Sequence, residues 1–481
     1  MDLFILIVVL VGFLVYAALV SRGVNTLGTF FHGGVARQHA ISLGAFNVTL
    51  GAGLVYQMTL GVQFGIWAFL QVLAIPFGYL LLALFVSRCV PEGWMQARNV
   101  FAVADESIAA VTGRRSAFGL LFSLALSVFY ILILALESYV AGGLLAAVTI
   151  PDGGTGAAVV LSFVLLFASL VYTLLGGMKA VLGTDLVQLV FIAALVVAIS
   201  IVAFQVGAGG EVARGGFTMS EVFILVTLVF LAIATQFYSP VNWATVSDLS
   251  RKEQFGTFLS GGIIGAVVLG LITFAGIRIG WQNGERPFDV VLGSFEMAGG
   301  GFGVYSVFLR VILICGMVSM VISTIDSVMI RIVMLLYDNV FSGDSKQASS
   351  SATALKSIRV GVVGAFGAFF VPLSLLNWFQ PSVMFTLIGL VAGLNVLAPL
   401  ACTLPYLAIS DIRRLAVLTP AVVASFSAFV VLCAGAGFTF SLLGQSMVVT
   451  AVSVGGLILS CLGCLGLILF SRRYSTGSFV P

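Results

Sequence analysis

The sequence predicts an all-α integral membrane protein that crosses the bilayer about 13 times. Of its 481 residues 60% are hydrophobic and only 8% are charged, which gives a mean hydropathy of +1.20. A chain of this composition has too little polar surface to fold as a soluble protein. Its apolar runs reach about twenty residues, the length of a membrane-spanning helix, whereas β-barrel strands alternate over about ten residues. The spans are therefore helical, because a helix satisfies its own backbone hydrogen bonds in lipid.

Hydropathy, with breaks at charged and Gly/Pro-rich stretches, divides the chain into thirteen predicted spans. They lie near 2–20, 41–60, 64–87, 117–148, 157–175, 183–206, 219–240, 257–280, 303–338, 357–376, 381–409, 417–436 and 447–470. The first run is a span rather than a cleaved signal peptide, since no basic segment precedes it and no small-residue cleavage site follows it. The odd number of spans puts the two termini on opposite sides of the membrane.

The basic residues test this count, because Lys and Arg are enriched in the cytoplasmic loops of membrane proteins. With the N-terminus outside, 16 of the 21 Lys and Arg residues fall on the cytoplasmic side. The other five are Arg214, Arg278, Arg286 and Arg310 on the outer side and Arg331 near the inner end of its helix. The sequence thus predicts a multi-pass protein of the cell (inner) membrane with a cytoplasmic C-terminus.

Several functional classes do not fit the sequence. It contains no nucleotide P-loop, no Gly-x-Ser-x-Gly elbow and no zinc-ligand motif, and its longest inner linkers, 87–116 and 338–357, leave no room for a catalytic domain. No run of Lys and Arg is dense enough for nucleic acid, and no obligatory protein partner is evident. Cys461 and Cys464 lack the second pair or histidine of a metal site, so helix packing explains them better. We therefore do not expect an enzyme.

Two stretches resemble the sodium/solute symporter family. Members of that family typically carry Gly-Gly-(Leu/Met)-x-Ala-Val-x-x-Thr-Asp-x-x-Gln between the fifth and sixth spans. The stretch "GGMKAVLGTDLVQ", residues 176–188, matches every specified position of this motif. In the ninth span, "SMVISTIDSVMIRIVMLLYDNV", residues 319–340, resembles the family's Ser-Thr/Ser-x-x-Ser segment. The hydropathy profile and the N-outside arrangement extend the resemblance over nearly the whole chain.

The resemblance implies a LeuT-like 5+5 inverted repeat with one extra N-terminal helix and two C-terminal helices. These parts correspond to 2–20 for the extra helix, 41–206 and 219–409 for the two repeats, and 417–470 for the C-terminal helices. Folds of this kind bind ions and solutes near mid-membrane at broken helices. Independently of the family, "GAFNVTLGAG" in the second span and "TQFYSPVNWAT" in the seventh carry the Gly and Pro residues expected of two discontinuous helices.

The resemblance also implies a sodium site. Na⁺ exchanges its hydration shell for several oxygen ligands, which hydroxyl groups and freed backbone carbonyls supply. The family's conserved site maps onto the hydroxyls of Ser323 and Thr324 and the carbonyls of Met320, Phe46 and Thr49. Judged from the residues alone, helix packing or hydrogen bonding to the preceding turn explains Ser323 and Thr324 at least as well.

A second cation or proton site is implied nearer the cytoplasm, at Asp185, Ser323, Asp326 and Ser327. Asp326 is particular to this sequence, since relatives carry a small or hydroxylated residue there. Two nearby buried carboxylates resist ionising together unless a cation bridges them, so one of them would hold a proton when the site is empty. A structural alternative also exists, in which Thr184 caps the sixth span and Asp185 stabilises its first turn.

The solute is expected to bind polar side chains at mid-membrane depth. The candidates are Gln57, Gln71, Glu137, Gln236, Tyr238, Asn242, Trp243 and Asn395. Glu137 is the one charged group well inside its span, where it would bond sugar hydroxyls, pair with an amine, or stay protonated as a packing residue. No basic side chain accompanies these candidates, which slightly disfavours purely anionic solutes.

The resemblance thus implies sodium-coupled uptake of a small polar organic solute by alternating access, with Na⁺ as the coupling ion. Two alternatives stay open at this point. One is a proton-coupled or facilitative carrier of the same fold, which the Asp185 and Asp326 pair would favour. The other is a membrane sensor that binds a solute without moving it.

Overall fold

The computed structural model describes residues 2–31, 35–89, 118–206, 219–280 and 304–336, and 355–367 apart from residues 357 and 365. Every regular element in these ranges is helical, as predicted. The α-helices are α1 Asp2–Val20, α2 Leu27–Phe31, α3 Ala36–Phe46, α4 Tyr56–Phe64, α5 Phe69–Cys89, α6 Phe118–Thr149, α7 Gly154–Val206, α8 Met219–Tyr238, α9 Pro240–Asp248, α10 Arg251–Ile279 and α11 Val304–Leu336. A π-helical segment covers Leu50–Val55, and short 3₁₀ turns cover Gly65–Ala68 and Pro151–Gly153.

Five stretches within the described residues are long and apolar enough to cross a membrane. They are Asp2–Val20, Gly53–Ser87, Pro151–Gln205, Arg251–Ile279 and Val307–Met334. The bounds of α1, α6 and α11 match the predicted first, fourth and ninth spans closely. The last three predicted spans lie outside the described residues, so the total of 13 stays a prediction.

The long helix α7 is in fact two helices that fold back on each other at Gly177. A straight helix of 53 residues would be about 80 Å long, far more than the roughly 30 Å of the hydrocarbon core. Gly177 has φ 53° and ψ −139°, which breaks the helix. The hydroxyls of Tyr172 and Thr184 lie 2.9 Å apart, although a straight helix would separate these positions by about 18 Å. This reversal is the predicted turn between the fifth and sixth spans.

The second and seventh predicted spans are both interrupted, as their Gly and Pro residues predict. In the second span, α3 ends at Phe46, and residues 47–49 lie outside any helix before the π-helical segment begins. In the seventh, α8 ends at Tyr238 and α9 begins at Pro240, which suits the first helical position because no amide hydrogen is needed there. Helix α3 begins at Ala36, before the predicted start at residue 41, so this half-helix is longer than predicted.

Helix α11 lies at the centre of the described bundle. All residues from 313 to 330 are buried. The helix packs against α1, α6 and α7, and also against α3 and the π-helical segment. The polar side chains in this stretch therefore face other helices and not lipid.

Candidate functional site

Side chains hold the interruption that follows Phe46. Asn47 Nδ2 donates to the Leu43 carbonyl at 2.6 Å and lies 3.1 Å from a tyrosine hydroxyl of α5. The Thr49 hydroxyl oxygen accepts from the Gly53 amide at 2.8 Å. Where a chain leaves the helical hydrogen-bonding pattern, backbone oxygens become available to ligands. The structure thus puts Phe46, a predicted carbonyl ligand, at the end of α3 and Thr49, another, within the break itself.

Helix α11, which packs against α3 and the π-helical segment on the two sides of this break, carries two buried hydroxyl groups. Ser323 and Thr324 are at most 1% exposed. The Ser323 hydroxyl donates to Asp185 Oδ1 at 3.1 Å, and the Thr324 hydroxyl donates to the Met320 carbonyl at 2.8 Å. Because both protons are directed at other acceptors, both hydroxyl oxygens keep lone pairs that a cation can use.

The Met320 carbonyl is a poorer ligand than the resemblance implies. As a carbonyl inside α11 it accepts the amide hydrogen bond from four residues further on. It also accepts the Thr324 hydroxyl. These two hydrogen bonds use both of its lone pairs. A cation at this carbonyl therefore requires the Thr324 hydroxyl to rotate away.

The residues predicted for a second site lie on α11 and on the second half of α7. The hydrogen bond from Ser323 to Asp185 joins the two helices, and Asp185, Asp326 and Ser327 are at most 1% exposed. On α11, Asp326 and Ser327 are displaced from Ser323 by about 60° and 40° in opposite directions. Gly316 lies on the same face of α11, two turns before Ser323. A Cβ added to Gly316 would lie 2.5 Å from a leucine side chain of α7, so the two helices are close there as well. Ser323 and Asp185 therefore connect the two helices directly, and Asp326 and Ser327 are buried on α11 within about one turn of Ser323.

The structure contradicts the capping alternative for Thr184 and Asp185. The helix resumes directly after Gly177, so both residues lie about two turns inside it. The Thr184 hydroxyl contacts the carbonyls of Ala180 and Val181, at 3.0 and 3.1 Å, and caps no free amide. The effect of a helix dipole has fallen off at this distance from the helix start. Helix stability therefore does not explain a buried carboxylate at Asp185.

The glycine pair of the loop motif packs against the chain that follows α1. A Cβ at Gly177 would lie 2.4 Å from the Phe30 carbonyl oxygen. Next to it, Lys179 Nζ donates to the Arg22 carbonyl at 3.0 Å. The sequence identifies this motif but not its contact surface, since nothing local indicates which segment the turn meets. The motif thus fixes the position of the α7 hairpin that carries Asp185.

Replacing Gly177 by alanine is expected to destabilise the protein. The positive φ alone costs a residue with a Cβ about 1–3 kcal/mol, and the contact with the Phe30 carbonyl forces a further backbone shift. We expect a lower Tm in detergent than that of Gly156→Ala. That control lies at the start of α7, and its added Cβ meets nothing within 4 Å. An equal Tm for the two variants would contradict the tight docking of the turn.

The predicted solute residues of the seventh span largely hold its interruption in place. Asn242 Nδ2 donates to the Gln236 carbonyl at 2.8 Å, and Trp243 Nε1 donates to the Phe237 carbonyl at 2.7 Å. Both donors thereby satisfy carbonyls at the end of α8. Asn242 Oδ1 and the Ser239 hydroxyl are buried and have no hydrogen-bond partner among the described residues. Among the described side chains at this break, these two oxygens are therefore not engaged in hydrogen bonds.

The other predicted solute residues are spread over several helices. Gln57 Nε2 donates to a threonine hydroxyl of α10 at 2.8 Å, so this side chain joins two helices. Gln71 Oε1 is buried and has no hydrogen-bond partner within the described ranges. Glu137 is 1% exposed on α6, the helix that packs against the π-helical segment. The Tyr238 side chain and Asn395 lie outside what the structure describes.

The arrangement of helices matches solved transporter structures over nearly their full length. A Na⁺-coupled sialic acid symporter, in a substrate-bound outward-open state with a novel Na⁺ site, is 17% identical with a TM-score of 0.65, and the match covers 96% of this chain and 98% of that one. Mhp1, a nucleobase-cation-symport-1 family transporter with bromovinylhydantoin bound, is 13% identical with a TM-score of 0.52, covering 95% and 96%. A mutant manganese transporter of Eremococcus coleocola is 11% identical with a TM-score of 0.52, covering 93% and 95%. The chain has the LeuT fold.

The LeuT fold accounts for the two interrupted spans of this protein. Transporters of this type bind ions and solutes near mid-membrane at broken helices, and the breaks after Phe46 and Tyr238 are of that kind. The structural neighbours are secondary transporters and not enzymes. No protein-family model matches the sequence, and no curated protein matches it significantly.

Proposed function

We propose that this protein is a sodium-coupled symporter of the sodium/solute symporter family that takes up a small polar organic solute by alternating access. The observation that carries the proposal is the hydrogen bond between Ser323 and Asp185, at 3.1 Å and in a fully buried position. It joins a carboxylate to a hydroxyl of α11, the helix that also packs against the interrupted second span. Such a group of oxygens is what an alkali cation needs when it loses its hydration shell.

A cation would offset the free energy of burying the Asp185 carboxylate. An ionised side chain inside a membrane protein is unfavourable by several kcal/mol unless it is paired or coordinates an ion. A single hydroxyl donor such as Ser323 offsets about 1.5–3 kcal/mol of this when the acceptor is charged. A bound Na⁺ removes the net charge. The carboxylate is therefore expected to favour the sodium-bound state.

Ser323 belongs to both proposed cation sites. Its proton is directed to Asp185, while its oxygen lies on the helix that packs on the break after Phe46. A cation at the first site would polarise this hydroxyl and strengthen its hydrogen bond to the carboxylate. A second cation at Asp185 would displace the Ser323 proton from the carboxylate oxygen. Occupancy of the two sites is therefore expected to be linked through this one side chain.

Sodium entry can drive uptake against a solute gradient. Each positive charge that moves inward gains about 2.3 kcal/mol per 100 mV of membrane potential. One or two coupled ions are therefore enough to concentrate a neutral solute substantially. Alternating access would move the interrupted helices relative to the surrounding scaffold.

Removing the two hydroxyls of α11 is expected to weaken sodium binding. Each oxygen ligand that is lost should weaken sodium binding by about 1–3 kcal/mol. In the Ser323→Ala, Thr324→Ala double variant, the Na⁺ concentration that gives half of the maximal stabilisation should therefore rise by roughly tenfold or more. The measurement is a sodium titration of thermal stability. A matched control is Ser162→Ala, because this buried hydroxyl bonds within its own helix, to the Ala158 carbonyl at 2.8 Å. An unchanged titration in the double variant would count against these ligands.

The experiment that tests the function as a whole is a solute screen followed by uptake. Sugars, amino acids, carboxylates and nucleobases are added in Na⁺ or in K⁺, and a coupled solute should raise the Tm more in Na⁺ because ligands stabilise the state they bind. The best solute is then offered, in labelled form, to proteoliposomes with and without an inward Na⁺ gradient. Uptake that proceeds equally well without Na⁺ would overturn sodium coupling.

A proton-coupled carrier of the same fold is the second candidate, and Asp326 favours it. This acid is fully buried one turn from Ser323, on the helix that faces Asp185. A carboxyl group in that position can carry a proton across the cycle. For such a carrier, an inward proton gradient in Na⁺-free buffer would drive uptake on its own.

A further inference from the structure

A buried polar cluster joins the two interrupted spans at a place that the cation sites do not use. His39 lies on α3, before the first interruption, and Thr245 and Asp248 lie on α9, after the second. His39 Nδ1 is 3.2 Å from the Thr245 hydroxyl, and His39 Nε2 is 3.4 Å from Asp248 Oδ2. The side chains of His39 and Asp248 are only 1% and 6% exposed.

One imidazole ring can hold both contacts because its nitrogens point in different directions. With the ring proton on Nε2, Nδ1 accepts from the Thr245 hydroxyl while the Nε2 hydrogen faces the Asp248 carboxylate. With both nitrogens protonated, Nδ1 would donate to the Thr245 hydroxyl oxygen and Nε2 would still face the Asp248 carboxylate at 3.4 Å. The cluster therefore joins α3 to α9 in either state of His39. Burial strengthens these contacts, because little water competes for them.

The C-terminal end of α9 is also hydrogen-bonded to α10. Gln254 Nε2 donates to the carbonyls of Val246 and Leu249, at 2.8 and 3.0 Å. Arg251 in turn donates to the Ser87 carbonyl of α5 at 3.1 Å. The end of α9 is thus held to α10, which also packs against α3 and α5. A separation of the two half-helices would then break the contacts of His39.

We propose that His39, Thr245 and Asp248 form a latch that keeps α3 and α9 together and must break when the protein opens on their side of the membrane. With the predicted N-outside orientation, that side is the cytoplasm. In transporters with broken helices, access to the mid-membrane site changes when helices move around it. A polar latch suits this role, because water can replace its hydrogen bonds once the gap is wet. The proposal rests on transport by alternating access, and not on which cation or solute is carried.

Hydrogen exchange of the purified protein tests the latch. The variants are His39→Phe, which keeps the ring but loses its polar atoms, Asp248→Asn, and the two combined. In each single variant, amides of both α3 and α9 should exchange about tenfold faster or more, while those in the middle of α10 should not change. The double variant should resemble the single variants, because the second substitution removes a contact that is already lost. Arg37→Gln, an exposed change in the first turn of α3, is the matched control.

Two results would overturn the latch. One is faster exchange only in the helix that carries the substitution, and the other is a double variant whose effect is the product of the two single effects. If His39→Phe does not fold, the variant His39→Gln is used instead. Its amide group can retain one hydrogen bond, so the exchange rates in α3 and α9 should rise by less. In the same samples we measure whether Na⁺ slows the exchange of the amides around Asp185 and Ser323. The absence of such slowing in the unmodified protein would contradict sodium binding and would leave the result for the latch intact.

Discussion

Asp185→Asn is expected to remove most of the stabilisation of the protein by Na⁺ without lowering the stability of the cation-free protein. The amide keeps the shape of the carboxyl group and an acceptor for Ser323, which lies 3.1 Å from Asp185 Oδ1. If the buried carboxylate is ionised without a cation, its removal relieves an unfavourable charge, and if it is protonated, the amide is nearly equivalent. In either case the Tm in K⁺ should stay the same or rise.

Na⁺ is expected to raise the Tm of the unmodified protein above its value in K⁺. In Asp185→Asn most of this rise should be lost. A site filled at a hundred times its dissociation constant stabilises a protein by about 2.7 kcal/mol, and that term disappears with the ligand. The measurement is Tm against Na⁺ concentration for the variant, the unmodified protein and Asp152→Asn. The control removes an exposed acid in the turn before α7, so its titration should match that of the unmodified protein. A normal sodium response in Asp185→Asn would exclude this carboxylate from the site.

Asp326→Asn is expected to change the coupling of uptake to ions. This acid is fully buried on α11, three residues after Ser323, and α11 packs against α7. If it holds a second cation with Asp185, the Hill coefficient for Na⁺ should fall to about 1 in the variant. If it carries a proton when the site is empty, the pH dependence of uptake should flatten. The two outcomes separate a second sodium site from a proton site.

The matched control for this prediction is Glu253→Gln. Glu253 is an exposed acid in the first turn of α10, where its carboxylate bonds the Ser250 amide at 3.1 Å. Its loss should lower stability slightly through the helix cap, and it should leave the Hill coefficient and the pH dependence of uptake unchanged. If Asp326→Asn also leaves both quantities unchanged, the paired-carboxylate proposal is wrong.

Much of the fold could be predicted because hydropathy dictates where a membrane chain is helical. The bounds of α1 and α11 follow from apolar length alone, and Pro240 marks the break of the seventh span. The break of the second span is harder to position, because it depends on Asn47 bonding back to a carbonyl of α3 and on a π-helical turn. Such side-chain contacts are not visible in a hydropathy profile.

The site was predictable in part, for a related reason. The motifs identify Asp185 and Ser323, residues 138 apart in the chain that form one hydrogen bond. They do not indicate that the donors of Asn242 and Trp243 are used to hold the end of α8, since a polar residue beside a break serves equally well as a cap or as a solute ligand. His39 gives no local signal either, because its partners lie 206 and 209 residues away, on a different interrupted span.

Equilibrium binding of radiolabelled Na⁺ to the purified protein tests the central claim most directly. We expect saturable binding that unlabelled Na⁺ displaces and K⁺ does not, and that is lost or weakened by roughly tenfold or more in the Ser323→Ala, Thr324→Ala double variant. Saturable binding that the double variant retains in full would contradict a cation site between α11 and the broken second span, and the absence of saturable binding would contradict sodium coupling itself.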